Sequence, residues 1–353
     1  MAVVANEDGL DWALAVIEPA LVLGDRGFLL EMRTRLAAKG VAAAVLDRDS
    51  AAIYDWLLRA MQHQGISDAA AEAFIDTNAP VGWAGISDTL SVDGRPACAR
   101  LRSYWHFDGC GYRKGARTCA EPALLEACPL PRQPLRNGRL SQGAYSLFLF
   151  IRDVCGGDIV GWIDARLEQA DHRLGDSHRR AAAMRQAVLA PMRNIHGVSD
   201  KVLAMALSAL LMGADSGRER WFVTGAGMIV IDTLVHNFLH RTGILRRLKA
   251  EHAYGPGCYG AGGCAEIVEA LAQNIDARRF NPSFPASFPR FVQHALWRFC
   301  AQGQFDICNG NRIDDRQPCR SACCPAASLC CRVTLHGASR QRRSAPTDRL
   351  ARR

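Results

Sequence analysis

The stretch from Asn194 to Arg247, NIHGVSDKVLAMALSALLMGADSGRERWFVTGAGMIVIDTLVHNFLHRTGILRR, constrains the fold more than any other part of the chain. Gly197-Val198-Ser199-Asp200 is a tight turn that opens into an apolar run carrying Lys201 near its start. Apolar residues recur through that run at helical spacing, so a helix enters the core directly from the turn. A polar, Gly-rich insert follows, GADSGRERWFVTGAG, which is expected to loop out. Met228 to Ile231 then deliver Asp232 to the mouth of the next helix. N–H groups at such a turn and at the start of its helix can bind a phosphate without touching a base. A lysine just inside one helix and a carboxylate at the start of the next make a nucleophile and its partner, provided they face one site.

The remaining chain reads as helices. DWALAVIEPALVL and FLLEMRTRLAAKG carry apolar residues at helical spacing, with Gly40 as the C-cap of the second. YDWLLRAMQHQG stops near Gly65, where Gln64 is expected to stand exposed, and Ser67 or Asp68 caps the next helix. GAYSLFLFIRDV is apolar enough to lie in a core, and Pro191 ends SHRRAAAMRQAVLAPM. Residues 87–140 are irregular and rich in Gly, Pro and Arg, and a segment of that length is functional or an inserted subdomain. Strand signals are few, so the fold class is all-α.

Composition excludes some functions. No apolar run is long enough to span a membrane. The opening MAVVANEDGLDW has no basic stretch ahead of an apolar core, so a cytoplasmic location is expected rather than export. The net charge of +8 is concentrated at one end, where residues 332–353 hold seven arginines against one aspartate. Bulk charge is therefore weak support for nucleic-acid binding. Fourteen cysteines in a chain expected in a reducing compartment point to metal ligands or small buried hydrophobes rather than disulfides. Cys98, Cys110, Cys119 and Cys128 punctuate the irregular segment at spacings that match no standard zinc ribbon. Around them Tyr104, Trp105, His106, Tyr112, Arg113, Lys114 and Arg117 can stack bases and touch phosphates, or simply pin the loop. His236 and His240, one helical turn apart, read as packing or phosphate contacts, since no H-E-x-x-H motif accompanies them. Cys258 and Cys264 in the loop CYGAGGC read as structural or free.

Ile195-His196-Gly197-Val198-Ser199-Asp200-Lys201-Val202-Leu203, with Ile231-Asp232-Thr233-Leu234-Val235 and Arg241-Thr242-Gly243 downstream, resembles the helix-hairpin-helix DNA glycosylases, the group of endonuclease III and 8-oxoguanine glycosylase. The lysine falls four residues after the first hairpin glycine, as in the bifunctional members, and LLRAMQHQGISDAAAEAF resembles the opening of the same domain. Ser199 stands where the family has a second glycine, His196 where it has proline, and the insert before Asp232 has no counterpart in common members. The resemblance covers roughly residues 54–86 and 140–330.

The resemblance implies two helical domains, with the hairpin at the cleft between them and a Cys-rich C-terminal loop. Residues 1–53 would pack with the C-terminal half. Residues 54–212 would form the barrel domain, with the insert 87–140 and the hairpin 194–212. Residues 213–331 would form the second domain with the Cys-rich loop 300–331, and 332–353 a basic disordered tail. It implies DNA repair glycosylase activity on double-stranded DNA carrying a damaged base, with or without AP-lyase activity, by a monomer. Lys201 and Asp232 would be catalytic, and Gly197, Val198, Ser199 and Asp200 would hold the DNA backbone. Gln64 would fill the gap left by a flipped base. Cys308, Cys319, Cys324 and Cys330 would hold a [4Fe–4S] cluster, with zinc as the alternative. The rival function is a catalytically silent DNA-binding or scaffold protein with a structural metal site, and an RNA-directed enzyme shares every feature.

Overall fold

A computed structural model of the protein describes residues 7–64, 66, 68–78, 81–91, 98–132, 135, 138–172, 176–215, 217–308 and 316–335. Among them the protein is all-α, with a single isolated bridge between Arg113 and Thr118 in place of any sheet. In chain order the first helices are α1 (Glu7–Val22), α2 (Phe28–Ala38), α3 (Val41–Leu46), α4 (Ser50–Met61), α5 (Asp68–Thr77), α6 (Trp83–Ser91), α7 (Tyr104–Phe107) and α8 (Gly138–Leu149). They are followed by α9 (Ile159–Ala170), α10 (Ser177–Met192), α11 (Asp200–Gly213), α12 (Glu219–Ala226), α13 (Thr233–Thr242), α14 (Ile244–Arg247), α15 (Cys264–Gln273) and α16 (Pro289–Cys300). The basic tail expected over 332–353 lies, from 336 onward, outside the described residues.

The chain divides into two compact units, residues 29–228 and residues 1–28 with 229–353. The sequence places these boundaries at 53/54 and 212/213. They shift because Leu36, Val41, Ala44 and Val45 are buried in the same apolar cluster as Leu57 and Leu207, and Trp221 and Met228 belong to it too.

In the 29–228 unit α11 is the central rod. Its buried residues Val202, Leu203, Ala206, Leu207, Leu210 and Leu211 occupy most of its circumference, as a helix covered on several sides requires. It packs on α4 and α12. Tyr54 of α4 donates its hydroxyl to the Ala144 carbonyl of α8 at 3.0 Å, and the Trp83 and Phe148 rings meet at 4.3 Å. The insert before Asp232 does not loop out. Its residues 219–226 are α12, and the Ser208 hydroxyl of α11 donates to the Gly225 carbonyl at 3.1 Å. The fully buried Trp221 donates Nε1–H to Asp164 Oδ1 at 2.7 Å. Its charges face acceptors on neighbouring segments: Arg218 pairs with Asp164 at 2.6 Å, and Arg220 with the nearly buried Asp171 at 2.8 Å. Arg180 bridges Asp171 and Glu219.

In the other unit α16 is central, packed by α1, α13 and α15. Pro289 opens it at a position where no intrahelical N–H is needed. Phe291, Val292, Ala295, Leu296 and Phe299 form its buried stripe, and the Phe299 ring meets Phe238 of α13 edge-on at 5.8 Å.

Trp221→Ala should destabilise the 29–228 unit by about 3–5 kcal/mol, because it leaves a large cavity in the core. Urea titration followed by helical circular dichroism measures this. A loss under about 1 kcal/mol would mean that α12 is peripheral.

Candidate functional site

The connection between α10 and α11 is built from four interlocking constraints. Gly197 has φ of +75°, and a Cβ there would lie 2.6 Å from the Arg139 carbonyl oxygen, so only glycine fits. The His196 N–H donates to Ser146 Oγ of α8 at 3.0 Å. Ser199 has extended backbone and caps α11 by accepting from the Val202 N–H. Gln64 spans the turn with both ends of its amide: Nε2 donates to the Gly197 carbonyl at 3.0 Å, and Oε1 accepts from the Ser199 N–H at 3.1 Å. Gln64 is therefore half-buried and braces the turn, instead of standing exposed at a helix end. Asp200 pairs with Arg193 at 3.2 Å, and Lys201 lies partly exposed on the first turn of α11.

A cleft of about 470 Å³ opens beside this turn, lined by Tyr112, Arg113, Lys114, Arg139, Gln142 and His196 among others. The Lys114 amine donates to the Leu135 carbonyl. Burial, helped by Arg139, lowers the His196 pKa and favours the neutral ring.

Asp232, in the other unit, is the N-cap of α13. Its backbone is extended and Oδ1 accepts from the Val235 N–H at 2.9 Å. The Tyr259 hydroxyl fixes the approach to it by bonding both polar groups of the Ile231 backbone, at 2.9 Å to N and 3.3 Å to O.

One turn along α13 from Asp232 lies a group that can hold a metal ion: His236, His252, Cys258 and Cys264, whose ligand atoms all lie within 4.8 Å of one another. His236 Nδ1 is 3.3 Å from Cys264 Sγ and 3.5 Å from Cys258 Sγ, and His252 Nε2 is 3.4 Å from Cys264 Sγ. A tetrahedral zinc ion with Zn–S of about 2.3 Å and Zn–N of about 2.05 Å sets nitrogen and sulfur roughly 3.6 Å apart, so the four atoms already approximate its shell. His252 Nδ1 is 2.7 Å from the Ala250 carbonyl, which selects the tautomer leaving Nε2 free for a metal. Gly263 lets the loop close: a Cβ there would lie 2.2 Å from the Gly257 carbonyl oxygen. The Cys264 thiol donates to Cys258, and that bond lowers the Cys258 pKa and, with burial, raises its own, so a thiolate is favoured at Cys258. Sequence reasoning passed over this group. It paired His236 with His240, which the structure does not bring into the ligand set, and left Cys258 and Cys264 without a role. Burial, with the neighbouring His236, lowers the His240 pKa.

Comparison with known protein families, with curated proteins and with solved structures gives no match for the chain.

The four cysteines expected to be ligands in the C-terminal segment, Cys308, Cys319, Cys324 and Cys330, fall outside the tight group. Cys324 and Cys330 lie within electrostatic range of Cys308 and Cys319. Burial raises Cys324 and pushes Cys330 up to about 11, opposed by backbone N–H bonds from Ala326 and Arg332. Cys308 is lowered by hydrogen bonds from the buried Cys300 thiol and, more weakly, by Arg241.

Two outcomes are expected. Gln64→Ala removes the brace and should cost about 1–3 kcal/mol by leaving polar backbone unpaired, read by urea titration and by faster amide exchange at Ser199. In metal-stripped protein, Co²⁺ should give thiolate-to-cobalt absorption that Cys264→Ser weakens, whereas a spectrum unchanged by that substitution would remove the group from consideration.

Proposed function

We propose that the chain is a base-excision DNA glycosylase, which extrudes a damaged base from duplex DNA and cleaves its N-glycosidic bond. The observation that carries this reading is the turn into α11. A left-handed Gly197, a capping Ser199 and Lys201 on the first helical turn form a rigid corner braced by Gln64. Helix N–H groups at such a corner suit a DNA phosphate. Arg113 and Arg139 in the adjoining cleft add positive charge for the strand. Gln64 would serve DNA binding by holding the corner, and filling the gap left by a flipped base would require its amide to leave the turn.

In this reading the carboxylate of Asp232 stabilises the oxocarbenium-like sugar as the base departs. A neutral Lys201 amine attacks the sugar carbon, and the resulting Schiff base gives AP-lyase chemistry. The reading requires the two residues to serve one nucleotide. We assign zinc to His236, His252, Cys258 and Cys264, because the nitrogen–sulfur separations match a tetrahedral ion. For Cys308, Cys319, Cys324 and Cys330 we retain the [4Fe–4S] cluster, supported by the electrostatic proximity of these thiols to one another and by the Arg241 guanidinium beside Cys308.

One observation favours the rival, a catalytically silent DNA-binding or scaffold protein. The Ser199 N–H, a phosphate donor in the first reading, is already bonded to Gln64. Borohydride trapping on abasic and damaged duplexes separates the two. The enzyme gives a covalent adduct that Lys201→Gln abolishes. Asp232→Asn should slow base release by about 10²–10³-fold while leaving duplex affinity intact. Duplex binding with no base release from any lesion in a panel would establish the silent protein.

A further inference from the structure

Residues 98–132 are packed without regular structure to hold them. Their backbone forms α7, three single turns of 3₁₀ helix and the lone Arg113–Thr118 bridge. Yet Leu101, Phe107, Tyr112 and Leu130 are buried, so the segment has a fixed shape. Small folds with so little ladder are held by disulfides or by metal. Every cysteine here is free, so a disulfide is not the staple.

The backbone gathers the thiols. Arg113 and Thr118 exchange both backbone hydrogen bonds, at 2.8 and 3.3 Å, and close a hairpin. Further down its arms a Cβ on Gly111 would lie 2.6 Å from Ala120 Cβ, so the arms touch where Cys110 and Cys119 sit. Cys98 caps one 3₁₀ turn, and Cys128 lies two residues before another. All four cysteines line one nearly closed void of about 10 Å³. That space is the size of a single ion and excludes an organic cofactor, and a cluster would have to widen it.

We propose that Cys98, Cys110, Cys119 and Cys128 are the four thiolate ligands of a metal centre, a zinc ion or an iron–sulfur cluster, that staples the 98–132 segment.

Three of the four sulfurs accept a backbone N–H from two residues onward: Cys98 from Arg100, Cys119 from Glu121 at 3.5 Å, and Cys128 from Leu130. Gln142 Nε2 lies 3.7 Å from Cys110 Sγ. Donors aimed at sulfur stabilise thiolates and are the outer-shell partners that a metal centre needs. The Arg100 guanidinium lies over Gly109, beside Cys110, and offsets negative charge. Among the described residues the His236 group is drawn together for a metal ion, and these four thiols are not. A zinc ion would therefore draw the side chains inward, whereas a cluster would bind each thiolate to an iron and accept the wider stance.

The centre is independent of the glycosylase reading, and its test does not measure base release. Full-length protein is purified without oxygen and assayed for zinc, iron and acid-labile sulfide, beside Cys110→Ser/Cys119→Ser and a Cys155→Ser control. The double variant should lose one zinc per chain if the centre is an ion, or iron together with sulfide if it is a cluster, and the control should lose neither. An unchanged metal content in a folded double variant overturns the proposal. If that variant does not fold, native wild-type protein is alkylated before and after chelation and mapped by mass spectrometry. The four thiols should be protected until the metal is removed, while the exposed Cys323 and Cys331 react throughout. Equal labelling of the four in both states overturns the proposal as well.

Discussion

Much of this chain has no backbone ladder, and that constraint shapes the rest of its structure. Helices satisfy their own N–H and C=O groups, but the segments 98–132, 250–263 and the described parts of 301–335 have no helix longer than four residues. A fold made this way must lock its irregular parts through side chains. Each of the three segments carries cysteines, and each brings them together: beside a hairpin, around two histidines, or against the end of α13, where Cys331 and Val333 donate to the Thr242 and Arg241 carbonyls at 2.9 and 2.8 Å.

The turn at Gly197 obeys the same logic with different chemistry. Its rigidity comes from four contacts to three stretches: Gly197 against Arg139 and His196 on Ser146, both of α8, Ser199 on its own helix, and Gln64 across the gap. None of these needs a long helix to propagate it. The corner holds its shape because each bond is to backbone, whose position is fixed by helices on either side.

The legible features were the local ones. Helical periodicity and helix ends are set within a few residues, so α11, Asp232 at the start of α13 and the Gly40 helix end could be read from the sequence. What stayed hidden depends on partners far along the chain. Gln64 looked like a solvated residue because its acceptor lies 133 positions away. α12 looked like a loop because its glycines and charges hide an amphipathic helix, and those charges are balanced by Asp164 and Asp171. The candidate ligands His236, His252, Cys258 and Cys264 come from α13, the start of α15 and the connection between them, with no short motif. The only trace was an even spacing, with five residues between His252 and Cys258 and five between Cys258 and Cys264.

α13 is only ten residues long, yet both its ends are fastened. Near its first end, the Asp232 carbonyl accepts from the N–H of His236, itself a member of the metal-holding group. At its far end the last carbonyls are bonded by the 331–333 segment. A rod clamped at both ends bends little, so the carboxylate at its tip inherits the stiffness of the clamps. Thiol oxidation at the first clamp would disturb His236 and its neighbours while the second clamp still held, so the start of α13 would loosen before its far end.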